Sequence, residues 1–206
     1  MQDRAIEIRN AFRESSLQLV DVLKRVPADA WKRPGLGEWT IRELAAHVLR
    51  GLDRPVVSEA GDGAVAAESA AAYYVLAMSS PTIHEEVAER ARQSAASFGE
   101  DLAEAARAIV ARSLGAVEAL GDDAPVTTSI GAVRLVDYLP TRILEVVIHT
   151  LDVAEAAGVA FEPGHDGLRV SLALLGEIAV ENGEGAALAL GLSGRRTLPG
   201  GDNVLA

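Results

Sequence analysis

Apolar residues recur at helical spacing along four long segments, and this periodicity limits the folds open to the chain more than any other feature. The segments span residues 2–26, 40–52, 83–120 and 137–157. Each places apolar side chains three and four residues apart, so one face of each helix must pack against another element. The third segment is one long helix or two helices joined near Gly99. Together these segments predict a mainly α protein built as a helical bundle.

Two polar motifs predict where helices begin. Thr40 and Glu43 have the spacing of a capping box, in which each side chain bonds to the backbone N–H of the other residue. Thr82 and Glu85 repeat this motif at the start of the third helical segment. We therefore expect the second helix to start directly after Thr40.

The last long helix has recognisable signals at both ends. We expect Asp137 to cap its N-terminus, with Pro140 in the first turn, where a missing backbone N–H costs little. Gly158 is expected to end the helix, because glycine readily takes the left-handed conformation found after helix C-termini.

Two shorter segments lie between the helices. Residues 126–136 carry β-branched side chains around Gly131, which predicts extended or hairpin-like structure. Residues 61–80 are rich in alanine and contain the pair Tyr73 and Tyr74. This composition is compatible with a short helix or an ordered loop, and it does not decide between them.

The C-terminal part of the chain predicts a small addition to the bundle. Residues 166–181 have helical spacing, and residues 186–192 form a short apolar run that we interpret as a strand. We therefore expect a four-helix domain over residues 1–160 and a short α/β appendage over residues 161–206.

The chain has no cysteine, which excludes disulfides, iron–sulfur clusters, thiolate metal sites and a cysteine nucleophile. Any metal ion must therefore be held by histidine, aspartate or glutamate. Only four histidines are available: His47, His84, His149 and His165. We expect His84, at a helix start, and His165, in a glycine-containing loop, to be exposed and without a functional role.

The charge balance limits the possible partners. Nineteen Lys and Arg residues face 30 Asp and Glu residues, which gives a net charge of −11. Nucleic acid and anionic membrane surfaces attract basic proteins, so neither is an expected partner. No apolar stretch reaches the roughly 20 residues that a spanning helix needs, and the charged N-terminus does not resemble a signal peptide. A cytoplasmic location is therefore expected.

A polar stripe runs along the otherwise apolar segment 137–157. At about 100° per residue, Arg142, Glu145, His149 and Asp152 fall within an arc of roughly 80°. The stripe is either a surface row of ion pairs or the wall of a polar cavity inside the bundle. The Glu145–His149 spacing aims both side chains at one point, as the paired histidines of helix-borne zinc sites do.

A metal site needs a further ligand, and His47 on the second helix is the candidate. Taken alone, His47 could be a core-edge histidine bonded to a carbonyl group. Combined with Glu145 and His149, it completes a two-histidine, one-carboxylate set that suits Zn²⁺ or Ni²⁺ and leaves a coordination position open. Arg142 could support the site, and Asp152 could orient a ligand from outside it.

Two groups of residues resemble a known family. They are Trp31 with the run GEWTIRELAAHV at residues 37–48, and the pattern Arg142-x-x-Glu145-x-x-x-His149-x-x-Asp152. Together they resemble the mycothiol-dependent maleylpyruvate isomerase family, part of the DinB-like superfamily of four-helix bundles. The resemblance covers roughly residues 1–160.

The resemblance implies a divalent metal, typically zinc, held by His47, Glu145 and His149 and open to a low-molecular-weight thiol. In such enzymes the thiol is mycothiol, and its thiolate adds to an electrophilic or unsaturated substrate, so that isomerisation or sulfur transfer follows. Family members also have a fuller C-terminal lobe that contributes an essential arginine. This chain is shorter there, and Arg195 is the best-placed candidate for that substrate- or thiol-binding role.

Three functions remain open at this point. The first is a metal-dependent isomerase or S-transferase that uses mycothiol and a small-molecule substrate. The second is a metal-dependent hydrolase that activates water and needs no thiol. The third is a metal-stabilised bundle that binds a partner without catalysis. Alanine-rich helix faces also make a homodimer possible.

Overall fold

The computed structural model describes residues 2–53, 65–80, 83–128 and 130–197, and this part of the chain is mainly helical. Its helices are α1 (Gln2–Arg25), α2 (Ile41–Asp53), α3 (Ala70–Met78), α4 (Ile83–Ser97), α5 (Leu102–Ala119), α6 (Leu135–Ala157), α7 (His165–Glu181) and α8 (Gly185–Leu192). Strands β1 (Pro125–Thr128) and β2 (Gly131–Arg134) form an antiparallel hairpin between α5 and α6.

Four of these helices form the predicted bundle. Helix α1 packs against α5 and α6, and α2 packs against the same two helices, so the four enclose one core. Phe12, Leu44, Leu49 and Ile143 are buried there with at most 1 % of their surface exposed. Each such side chain contributes about 1.5–3 kcal/mol of burial free energy relative to an exposed position. The mainly α, DinB-like fold class is confirmed.

The start of α2 matches the sequence prediction. Glu43 N–H donates to Thr40 Oγ1 at 3.2 Å, and Thr40 N–H donates to Glu43 Oε2 at 2.8 Å. Both halves of the capping box are therefore present. The second predicted box cannot be compared, because Thr82 and the side chain of Glu85 lie outside the described part of the chain.

The third helical segment is two helices rather than one. Helix α4 ends at Ser97, and Gly99 takes a positive φ of 74°, which turns the chain before α5. Asp101 then caps α5 by accepting from Glu104 N–H at 2.9 Å. Within the alanine-rich segment, residues 70–78 form α3, while residues 61–64 are outside the described part.

The hairpin predicted near Gly131 is confirmed, but the expected cap of α6 is wrong. The helix begins at Leu135, whose N–H donates to Ala124 O at 2.9 Å in the preceding loop. The loop carbonyl therefore satisfies a free helix donor, and a capping side chain is not needed. Asp137 instead accepts from Arg134 Nε at 2.6 Å. Pro140 consequently lies in the second turn.

The C-terminal part is helical, so the strand predicted for residues 186–192 is wrong. This run contains only alanine, leucine and glycine, without the β-branched residues that favour strands, and it forms α8. The helix predicted at 166–181 is confirmed as α7, which packs against α1, α3, α6 and α8. Gly158 ends α6 with a φ of 68°, as expected.

No helix in the described part of the chain combines the length and the apolar composition needed to cross a membrane.

The capping box gives a direct test of how α2 is held. We expect Thr40→Ala to lower the free energy of unfolding by about 1 kcal/mol, because Glu43 N–H loses its acceptor and the Glu43 carboxylate loses the bond from the Thr40 hydroxyl. Chemical denaturation followed by circular dichroism measures this change. Thr40→Ser keeps the hydroxyl and should retain most of the stability, so an equal loss in both variants would contradict the capping role.

Candidate metal centre

The site forms where α2 packs against α6. On α2, Leu44, Val48 and Leu49 are buried in the core, and His47 lies at the edge of this apolar face. On α6, most residues are apolar and buried. The polar stripe from Arg142 to Asp152 lies on the side of α6 that faces α2 and α3. The bundle core thus fixes both helices, and the polar side chains project into the groove between them.

His47, Glu145 and His149 converge on one point. The Nε2 atom of His47 lies 3.2 Å from Glu145 Oε2, and the Nε2 atom of His149 lies 3.6 Å from the same oxygen. One ligand atom from each residue lies within 4.8 Å of the other two. The imidazole rings meet edge to face, with centroids 5.2 Å apart.

The 3.2 Å and 3.6 Å separations of Glu145 Oε2 from the two imidazole nitrogens fit a divalent metal ion. Ligand atoms bound at about 2.0–2.2 Å in a tetrahedral arrangement lie about 3.3–3.6 Å from one another. The three side chains are each 17–18 % exposed, so they are neither fully buried nor on the open surface. Of the two alternatives for the polar stripe, the structure supports a partly enclosed site over a surface row of ion pairs.

Tyr74 completes the surroundings of Glu145. Its hydroxyl donates to Glu145 Oε1 at 2.9 Å, which leaves Oε2 for the two histidines. Burial, followed by the charge and hydrogen bond of Glu145, raises the pKa of Tyr74, so the phenol remains a donor. Sequence reasoning missed this residue, because only the packing of α3 against α6 brings Tyr74 to the site.

Asp152 orients His149. The Nδ1–H of His149 donates to Asp152 Oδ2 at 2.9 Å, which directs Nε2 toward Glu145. A carboxylate bonded to the far nitrogen of a ligating histidine is a common feature of metal sites, where it fixes the tautomer and raises the basicity of the ring. That Asp152 orients a metal ligand from outside the ligand set stays a prediction, and this contact gives it the required geometry.

The charges of the site favour an ionised Glu145. Burial alone would raise the pKa of Glu145, but hydrogen bonds from His149 and His47 and the charge of Arg142 hold it well below its usual value. Burial likewise opposes protonation of His149, yet its bonds with Asp152 and Glu145 raise its pKa to about 9. Burial lowers the pKa of His47, and Glu145 offsets part of that effect.

Arg142 lies one helical turn from Glu145, in the same groove. Its guanidinium carbon is 5.0 Å from the ring centroid of Tyr138, and Nε is 3.3 Å from Thr141 Oγ1. On the opposite helix, a Cβ atom at Gly51 would lie 3.3 Å from Nη1 of Arg142. The absence of a side chain at Gly51 therefore makes room for the guanidinium.

Trp39 lies beside the site and contacts His47. Its ring packs against the ring of His47 with centroids 5.0 Å apart and a tilt of 40°. Trp39 lies just before the capping box, so the start of α2 positions both the tryptophan and the histidine.

The other sequence candidates lie elsewhere. Arg195 is exposed beyond the end of α8, and none of the contacts in the described part of the chain joins it to the triad. His165 is 86 % exposed and pairs with Asp166, as expected for a residue outside the site. The side chain of His84 is outside the described part of the chain.

A comparison with protein families matches one family to most of the chain. The model of the family described as mycothiol maleylpyruvate isomerase N-terminal domain matches residues 12–154, which is more than half of the chain and includes all three residues of the triad. The chain belongs to this family and is a mycothiol-related, DinB-like protein. No curated protein and no solved structure matches it significantly.

Proposed function

We propose that the chain is a divalent-metal-dependent enzyme that uses a low-molecular-weight thiol, mycothiol, in isomerisation or sulfur transfer on a small electrophilic or unsaturated substrate. One observation carries the proposal: three partly exposed ligand side chains converge on one point in a chain without cysteine. Three protein ligands with an open position are typical of catalytic rather than structural sites.

His47 Nε2, Glu145 Oε2 and His149 Nε2 would hold the ion. A mixed nitrogen and oxygen set suits zinc, and nickel is compatible with it. When bound, the ion supplies a positive charge that lowers the pKa of an incoming thiol and holds its thiolate. The chain itself offers no thiol, so the sulfur nucleophile must arrive with the co-substrate.

The remaining side chains prepare the ligands. Tyr74 occupies Glu145 Oε1, so this carboxylate offers a single oxygen and keeps the coordination number low. Asp152 holds the His149 ring with Nε2 facing the site. Trp39 packs against the His47 ring and so restricts its orientation. These contacts fix the ligand geometry before any co-substrate binds.

Metal content tests the ligand set. We expect His47→Ala and His149→Ala to weaken zinc affinity at least about 100-fold, and Asp152→Asn to weaken it about 10- to 100-fold. Elemental analysis after equilibration against buffered zinc measures the loading. His165→Ala removes an exposed histidine and serves as the matched control. Loading that stays at the wild-type level in both ligand variants would exclude this site.

Thiol dependence tests the reaction. Turnover of maleylpyruvate and of a panel of small electrophiles is measured with and without mycothiol, on zinc-loaded wild type and on His149→Ala. The proposal predicts turnover only when the metal site and the thiol are both present.

Two results would contradict the thiol reaction. Thiol-independent hydrolysis by the loaded wild type would instead identify a metal hydrolase. No turnover with any substrate, together with a large fall in melting temperature on chelation, would identify a metal-stabilised binding protein.

A further inference from the structure

Helix α8 is apolar on every side, yet none of its side chains is buried. Its eight residues are alanine, leucine and glycine only, and Leu192 is 74 % exposed. A helix that is hydrophobic all round is normally enclosed by other elements. An isolated helix of this length is also marginal in water, because packing supplies most of the stability of helices in proteins. Within the described part of the chain, α8 therefore lacks the cover that its composition requires.

Both ends of α8 are anchored to neighbouring residues. At its start, Gly185 packs so closely on α7 that a Cβ atom there would lie 2.7 Å from Val180 Cγ2. At its end, the N–H groups of Arg195 and Arg196 both donate to Leu190 O, at 2.9 Å and 3.1 Å. Such backward bonds are common where helices end, because they satisfy free carbonyl groups. The apolar surface of α8 consequently has a defined position on the protein.

The exposed apolar side chains at this helix form a surface that we call the α8 patch, defined by Val180, Leu190 and Leu192. These side chains are 66 %, 36 % and 74 % exposed. Alanine and glycine occupy the other positions of α8 except Leu188, so a second helix can approach its backbone closely. Groups of exposed large apolar side chains in soluble proteins are typical of contact sites for other molecules.

Unpaired charges of opposite sign flank the α8 patch. Glu181 and Glu184 lie before α8 begins, and Arg195 and Arg196 lie after it ends. All four residues are exposed, and within the described part of the chain none of them has an ion-pair partner. One end of this surface is therefore acidic and the other is basic. Such a surface is complementary to a reversed copy of itself, although the chain as a whole carries a net charge of −11.

We propose that α8 forms the interface of a homodimer, in which the α8 helices of two copies pack antiparallel about a twofold axis. A twofold axis places the same surface of both copies in contact, so the start of each helix lies beside the end of the other. Glu181 and Glu184 of one copy then face Arg195 and Arg196 of its partner, and the two α8 patches cover each other. The inference does not depend on the metal site, and it gives Arg195 a role in assembly.

Sedimentation equilibrium of the full chain at low ionic strength, between about 1 and 500 µM, tests the dimer. An interface built on one short helix is small, so we expect a dissociation constant of about 1–100 µM. Leu192→Asp places a charge in the α8 patch and should weaken dimerisation at least about 10-fold. Leu17→Asp alters a 47 % exposed leucine on α1 and serves as the matched control, with a dissociation constant within about twofold of wild type.

Charge reversal separates contact between copies from effects within one chain. One variant carries Glu181→Arg with Glu184→Arg, and the other carries Arg195→Glu with Arg196→Glu. Each alone should stay monomeric over the same range, because like charges then meet at both ends of the interface. An equimolar mixture should form a heterodimer about as tight as the wild-type dimer. These charges also favour the dipole of α8 itself, but that effect acts inside each chain and mixing cannot restore it.

Three results would overturn the proposal. They are a wild type that stays monomeric over this range, a dimer that Leu192→Asp weakens no more than Leu17→Asp does, and a mixture of the folded charge-reversed variants that stays monomeric. The first result would assign the α8 patch to a different protein or to residues 198–206. Circular dichroism of each variant establishes that the helical fold is retained, so a loss of the dimer is read only from folded protein.

Discussion

The carboxylate of Glu145 lies at the contact between α2 and α6, and its oxygens need polar partners from the neighbouring helices. Removing an ionised group from water costs several kcal/mol unless its oxygens find partners. Three helices provide those partners: α2 brings His47 to 3.2 Å from Oε2, α6 brings His149 to 3.6 Å from the same oxygen, and α3 brings Tyr74 to 2.9 Å from Oε1. The bundle core holds these helices in place, so the geometry of the site follows from the packing.

One cation would be enough to neutralise the half-buried carboxylate of Glu145, but the protein places two histidines and an arginine near it. Two imidazole nitrogens face a single oxygen of Glu145, Asp152 orients one of these rings, and Arg142 lies one helical turn away in the same groove. The ligand atoms of His47, Glu145 and His149 thus converge on a common point in the groove. This arrangement provides more than is needed to neutralise the carboxylate alone. In the proposed function, that point would hold the metal, and the thiol would bind to the metal there.

Local geometry explains which features the sequence could predict. The capping box at Thr40 and the four-residue spacing of Glu145 and His149 depend only on the geometry of one helix, and both predictions agree with the structure. His47 could be nominated because few histidines were available. Tyr74 could not be assigned, since its role depends on how α3 packs against a helix far along the chain. The strand predicted at 186–192 failed because an apolar run of that length fits either a strand or a short helix.

X-ray absorption at the zinc edge tests the central claim most directly, because it reports which atoms surround the metal. For the zinc-loaded protein alone, the account predicts nitrogen and oxygen neighbours only, as expected for two histidines and a carboxylate. Adding mycothiol should introduce one sulfur neighbour at about 2.3 Å, the usual zinc–thiolate distance. A spectrum that remains free of sulfur at saturating mycothiol would contradict a thiol-using metal centre in this protein.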